Sequence, residues 1–227
     1  MSQYDPVTPE RLRQFLTRLG RDYRQSGRVL LVGGTGLIYQ QLKAATKDVD
    51  LSTQFQPAEE DRFGQVVRRL SRELNMAIEI VSPANFIPLP RGVEERHRYL
   101  GREGQLEIFA FDPVSTALAK IARGRAGDLA DVLALVTAGH LSIDAITAAY
   151  DEILPRVAAG QALKIGPDEY RQKMDAFLVA AQVRGLIQQQ QVGDVRGDTS
   201  ESRQIQLAPS HERSTPDAVQ EQNEDAT

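Results

Sequence analysis

Apolar positions in the first half of the chain switch between two periods, and the switching outlines a repeated helix–strand unit. Leu12, Phe15, Leu16, Leu19 and Tyr23 recur at helical spacing. Thr8 can cap that helix, Pro9 suits its first position, and Ser26-Gly27 ends it. Arg28 to Val32 is a short, nearly all-apolar run, as a buried strand requires. Gly33-Gly34-Thr35-Gly36 interrupts it, and Leu37 to Ala45 predicts a short helix. Asp48-Val49-Asp50-Leu51-Ser52 alternates acid and apolar, the pattern of a strand with two different faces. Pro57 opens another amphipathic helix, with Phe63, Val66, Val67, Leu70 and Leu74 on its buried stripe. Met76 to Val81 predicts a third strand, stopped by Ser82-Pro83. Phe86 to Gly92 is a proline-rich loop. His97–Leu100 and Leu106–Phe111 then predict a hairpin around Gly101-Arg102-Glu103-Gly104.

From Pro113 to about Leu186 the period is helical throughout, punctuated at Gly124, Gly127, Gly139, Pro155 and Pro167. From Gln188 onward Gln, Asp, Glu and Ser dominate. So few apolar side chains cannot offset the entropy of ordering, which predicts a disordered tail. The expected architecture is α+β with a mixed sheet: an αβαβαβ core over residues 1–112, a helical subdomain over 113–187, and the tail over 188–227.

Composition sharpens this in three ways. The absence of cysteine excludes disulfides and thiolate metal sites. No apolar run approaches the length of a membrane span, and Met1 to Glu10 reads as no signal peptide, so the expected location is cytoplasmic. The net charge of −4 is uneven: the tail holds 3 of the 27 basic and 8 of the 31 acidic residues. The body is therefore near neutral, which neither demands nor forbids a nucleic-acid substrate.

The chemistry concentrates between Leu31 and Leu51. Asp48 and Asp50 lie two apart on a strand, so both carboxylates share one face, with Cα atoms about 6–7 Å apart. Such carboxylates repel, and a bound cation removes the conflict. Hard oxygen donors suit Mg²⁺ or Mn²⁺. Gly33 and Gly34 leave a buried strand and enter a helix, where backbone can approach a phosphate, and Thr35 adds a hydroxyl.

A Gly-Gly pair, a short helix and an acid-apolar-acid strand resemble the signature of the polymerase-β-like nucleotidyltransferase superfamily. That resemblance implies a third carboxylate on a nearby strand: Glu79 in Ile78-Glu79-Ile80, with Glu107 in Leu106-Glu107-Ile108 as the rival. Asp112-Pro113, Lys120, Arg123, Asp128 and Asp131 in turn resemble a helical K…R…D-x-x-D motif of uncharacterised bacterial nucleotidyltransferase-like proteins. AbiEii/MenT-type toxins have a similar arrangement. The resemblance implies that Lys120 and Asp128 bind and align an NTP, with Asp131 a weaker match, and it spans about residues 28–136.

The function expected on these grounds is metal-dependent transfer of a nucleotide from an NTP to an acceptor hydroxyl. Asp48 and Asp50 would hold metal, Glu79 would complete that site or act as base toward the acceptor hydroxyl, and Gly33, Gly34, Thr35, Lys120 and Asp128 would bind nucleotide, with Lys120 neutralising the triphosphate as pyrophosphate leaves. The expected acceptor is tRNA, a protein side chain or a small molecule; the toxin resemblance implies the 3′ end of tRNA, with an antitoxin protein as partner. Two readings compete: a catalytically inactive nucleotide-binding module, and a Rossmann NAD(P) site, against which Tyr39 stands where a third glycine is expected. Arg96, His97 and Arg98 form a small basic cluster, read first as a solvated hairpin.

Overall fold

The computed structural model describes residues 4–55, 57–161 and 165–186. The first helix, α1 (Pro9–Tyr23), starts where Thr8 accepts a hydrogen bond from the Arg11 backbone N–H, and Leu12, Phe15, Leu16, Leu19 and Tyr23 are all buried. Five strands follow: β1 (Gly27–Leu31), β2 (Asp48–Gln54), β3 (Ala77–Ile80), β4 (Arg98–Glu103) and β5 (Leu106–Ala110). They form one mixed sheet in the order β3-β2-β1-β5-β4. The β1/β5 and β2/β3 pairs are parallel, and the β1/β2 and β4/β5 pairs antiparallel. Because β1 and β2 are antiparallel, the segment joining them is not the parallel βαβ unit on which a Rossmann dinucleotide site is built.

The strand period of two divides the sheet into unlike faces. Val29, Leu31, Val49, Leu51, Leu106 and Ile108 pack with α1 and with α3 (Pro57–Glu73) into one core. Leu30, Val32 and Phe111 lie on the other face, with Val81, Leu89 and Val93 of the following loop packed over them. A second apolar cluster joins α4 (Pro113–Arg123), α5 (Asp128–Thr137), α6 (Ile143–Ala158) and α7 (Pro167–Val183), and reaches the sheet domain through Leu37 and Ile87.

Three expectations shift in detail. The helix after β1, α2 (Gly34–Tyr39), begins at Gly34 and stops well short of Ala45, because Gln41 adopts a left-handed φ of 61° and ends the turn. The hairpin turn is Gly104-Gln105, since β4 runs on to Glu103 past an irregularity between Tyr99 and Gly101. Pro155 lies inside α6 and does not end it; in the last turn it removes a single donor. The segment from residue 188 lies outside the described residues. Among the described residues no helix is long and apolar enough to cross a membrane.

Candidate active site

The site begins at the turn out of β1. Gly33 has φ 56° and ψ −124°, a conformation that side chains rarely adopt, and a Cβ there would stand 3.8 Å from Asp50 Oδ2. Glycine is thus needed for its backbone angle, and it brings the turn against the carboxylate. Gly34 is tight for a different reason: a Cβ would meet Thr46 Oγ1 at 2.8 Å. Thr35, expected to offer its hydroxyl to phosphate, is fully buried and its Oγ1 accepts a hydrogen bond from the Asp50 backbone N–H at 2.8 Å. Its position pins α2 to β2 and fixes the strand that carries the acids. The Val32 N–H donates to the Asp50 carbonyl at 3.0 Å, closing the β1 end of the same junction.

Asp48 and Asp50 share the sheet face opposite α1 and α3, since Val49 between them is buried in that core. Parallel pairing puts Glu79 in register with Asp50 and Ala77 in register with Asp48. Adjacent strands lie about 4.8 Å apart, so Glu79 stands beside Asp50 on the same face. Burial, then the charges of Asp48 and Glu79, push the Asp50 carboxyl up to about 6, against a partial counter-pull from Arg123 and Lys120. Glu107 is placed elsewhere. It is in register with Arg28 and pairs with Arg28 and Arg102, at 3.4 and 3.3 Å.

Among the described residues no three carboxylate or imidazole groups form a ready-made metal cluster. The donor set is nevertheless chemically suited to a hard divalent ion: carboxylates from two adjacent strands, one of which resists ionising because it is buried and because the others are near. A cation among them would relieve that repulsion.

Helix α4 supplies the opposite charge. Asp112, wholly buried, caps it by accepting from the Val114 and Ser115 N–H groups, at 3.0 and 3.1 Å, and from the Ser115 hydroxyl at 2.6 Å. Its two oxygens also take both arms of Arg96, at 2.8 and 2.9 Å. Arg96 therefore belongs to the α4 cap and not to a solvated basic cluster, and Arg98 donates to the Gln40 side-chain carbonyl at 2.9 Å. In the last turn of α4, Lys120 and Arg123 lie three apart and share a side.

Lys120 is almost wholly buried and donates to Asp131 Oδ2 at 2.6 Å, with Asp128 Oδ1 at 3.4 Å. Asp131 also accepts from Lys43 at 2.7 Å, and Asp128 accepts from both arms of Arg123, at 2.9 and 2.5 Å, and from the Arg125 N–H at 2.9 Å. Burial works against the charge on Asp128, but the Arg123 and Arg125 hydrogen bonds outweigh it and hold the carboxyl below its usual range. Both aspartates of the helical motif are thus occupied in fixing Lys120, Arg123 and Lys43. Of the four motif positions, Lys120 and Arg123 reach the open space beyond.

That space is a cleft of about 500 Å³, within the range of small-ligand sites. Gly33, Gly34 and Asp50 bound it on the sheet side, and Ser115, Thr116, Lys120 and Arg123 on the α4 side. Asn85, Phe86 and Ile87, from the loop after β3, and Lys173 of α7 are also on its wall. Sequence reasoning assigned none of these last four a role. Arg123 had a signal in its helical spacing from Lys120, whereas the loop after β3 showed only prolines.

A family model described as a nucleotidyltransferase of unknown function (DUF6036) matches residues 10–164, more than half of the chain. The chain belongs to this family. No curated protein and no solved structure matches the chain. The DUF6036 match covers α1 through α6, and so includes both the carboxylate face and the Lys120–Arg123 side of the cleft, while α7 lies beyond it.

Proposed function

We propose that the protein transfers a nucleotide from an NTP to an acceptor hydroxyl, in the cleft between β2 and α4. The observation that carries this reading is charge opposition across one space. Asp50, with Asp48 and Glu79 beside it, faces Lys120 and Arg123, and the charges of Asp50 and Arg123 each favour the other's ionised form. An NTP is a polyanion that enters such a site with divalent metal, so it needs acids and bases on opposite walls. Asp48, Asp50 and Glu79 are the residues that would hold Mg²⁺ or Mn²⁺. When bound, such an ion supplies charge neutralisation and acidifies the attacking hydroxyl. Arg123, about half-exposed in its side chain, holds Asp128 through Nε and one terminal nitrogen and would meet phosphate with the N–H groups that remain. Lys120, held by Asp131 and Asp128, supports the positive potential of that wall. The Gly33-Gly34 backbone offers close approach beside Asp50.

RNA is the acceptor class proposed, with the 3′ end of tRNA as its first candidate through the likeness to AbiEii/MenT-type toxins; a cognate antitoxin belongs to the same reading. The competing reading is a nucleotide-binding module without turnover. It draws on the absence of a preformed three-carboxylate cluster among the described residues and on the occupied state of Lys120.

The two separate in one experiment. The protein is incubated with Mg²⁺ or Mn²⁺, each α-labelled NTP in turn, and total bacterial RNA, beside an Asp48→Ala/Asp50→Ala control. Label on RNA or protein that falls at least about 100-fold in the control is the expected result. Metal-dependent NTP binding without transfer establishes the binding module. No binding and no transfer overturns the site.

A further inference from the structure

The cleft is lined by two chemically different sets of residues, and the charged set alone does not account for its size. Beside Asp50, Lys120, Arg123, Arg125 and Lys173, its lining includes apolar residues: Pro83, Phe86 and Ile87 from the loop after β3, Ala119 from α4, and Ile165 before α7. Phe86 is the unusual member. It is 48% exposed, although large apolar side chains with a core within reach are normally covered, and the next residue, Ile87, is buried in the core at 1%. A short 3₁₀ turn, Pro83–Asn85, fixes the segment, and the Phe86 N–H closes it onto the Pro83 carbonyl at 3.0 Å. Ile87 below and Pro83 before it therefore anchor Phe86 on the cleft wall. Asn85, also exposed, is next to it on the lining and carries one amide donor pair and one carbonyl acceptor.

We infer that the part of the cleft lined by the loop after β3 is the nucleobase pocket, with Phe86 as the stacking platform and Asn85 as the side chain that reads the edge of the base. The inference rests on the nucleotidyl-transfer reading of the same cleft. The occupant follows from the arrangement of charges. A ligand that places a polyanion between Asp50's metal-binding face and Arg123 must carry an uncharged, flat portion to fill the rest, and the ring of Phe86 offers it a π-face. Base–aromatic stacking is tolerant of base identity, so Phe86 supplies affinity. Discrimination among bases needs hydrogen-bond donors and acceptors at the pocket edge, and Asn85 supplies both.

Binding of each of the four NTPs, and of inorganic tripolyphosphate, is measured by calorimetry with Ca²⁺ as the divalent ion, for the wild type, Phe86→Ala, Phe86→Trp and Asn85→Ala. Phe86→Ala is expected to weaken every NTP by roughly tenfold and to leave tripolyphosphate unchanged, with Phe86→Trp restoring the loss. Asn85→Ala is expected to bring the affinities of the best and worst NTP towards one value. Melting curves confirm that the variants fold; Phe86 is exposed enough to be replaced without opening the core. If NTPs bind but Phe86→Ala changes nothing, or weakens tripolyphosphate equally, the base pocket is overturned and the transfer reading stands. If NTP ratios survive Asn85→Ala, the edge-reading role is overturned. If the wild type binds neither NTP nor tripolyphosphate, both readings fall.

Discussion

Asp50 is pressed from two sides. Burial withholds the water that would solvate its charge, and Asp48 and Glu79 add negative potential at short range, so its carboxyl titrates near 6 and not near its ordinary 3.8. The consequence for stability has a definite sign. Between pH 3.8 and about 6 the folded protein holds a proton that the unfolded chain has released, so raising the pH through this window favours unfolding. The stabilisation is complete below the unfolded value and lost above about 6. Asp50→Asn removes the ionisation and should make the metal-free protein more stable at pH 8 by roughly 2 kcal/mol, a gain that disappears below about pH 4. Urea unfolding across pH, without divalent ions, checks this. A constant difference at all pH values would mean that the carboxylate's charge is not the cause. Thr35 illustrates the same scale in a quieter way. Its hydroxyl is worth a phosphate contact on paper, yet it is used to hold the Asp50 backbone.

At the scale of elements, the charged motif of α4 and α5 is a clamp before it is a binding site. Asp131 joins Lys120 on α4 to Lys43 in the segment after α2, and Asp128 joins α5 to Arg123 on α4. The Lys120 side chain is 5% exposed, so in its present position it stays poorly hydrated if Asp131 is lost, with Asp128 at 3.4 Å as its remaining carboxylate. Asp131→Ala should therefore cost about 3–5 kcal/mol, far above the value of an exposed pair. Asp131→Asn, which keeps an acceptor, should cost less. Chemical denaturation of both variants measures the difference, and a loss below about 1 kcal/mol for the alanine variant would show that Lys120 reorganises to water.

The whole molecule places the cleft between two apolar cores, so its shape depends on how the helical half is held. Helix α7 lies outside the residues matched by the family, yet it closes that half. Tyr170, Met174 and Phe177 are buried in the helical cluster, the Tyr170 hydroxyl donates to the Leu118 carbonyl at 3.1 Å, and Lys173 donates to the Ala122 carbonyl at 2.7 Å. Phe177 does not line the cleft, but Phe177→Ala should cost about 3–5 kcal/mol by cavity formation. It should also lower NTP affinity, through loosening of α4. Hydrogen exchange is expected to accelerate in α7 and at the C-terminal end of α4 while the α1/α3 side of the sheet keeps its protection. Uniform acceleration would mean that the two cores unfold as one.

What the chain by itself determined was whatever depends on near neighbours. Helical spacing marked the buried face of α1, alternation put Asp48 and Asp50 on one face of β2, and the glycine pair marked a turn that needs φ 56° at Gly33. These follow from geometry repeated every two or 3.6 residues, which a linear sequence carries directly. Only tertiary structure decided the rest. Register between β2 and β3 chose Glu79 as the neighbour of Asp50, while the Arg28 and Arg102 pairs occupied Glu107. Antiparallel pairing of β1 and β2 removed the dinucleotide-site reading. Burial turned Lys120 from a surface lysine into the centre of an ion network, and folding of the loop after β3 brought Phe86 onto the cleft wall. Each of these joins residues far apart in the chain, and such pairings are set by which surfaces can bury one another, a condition that no local period encodes.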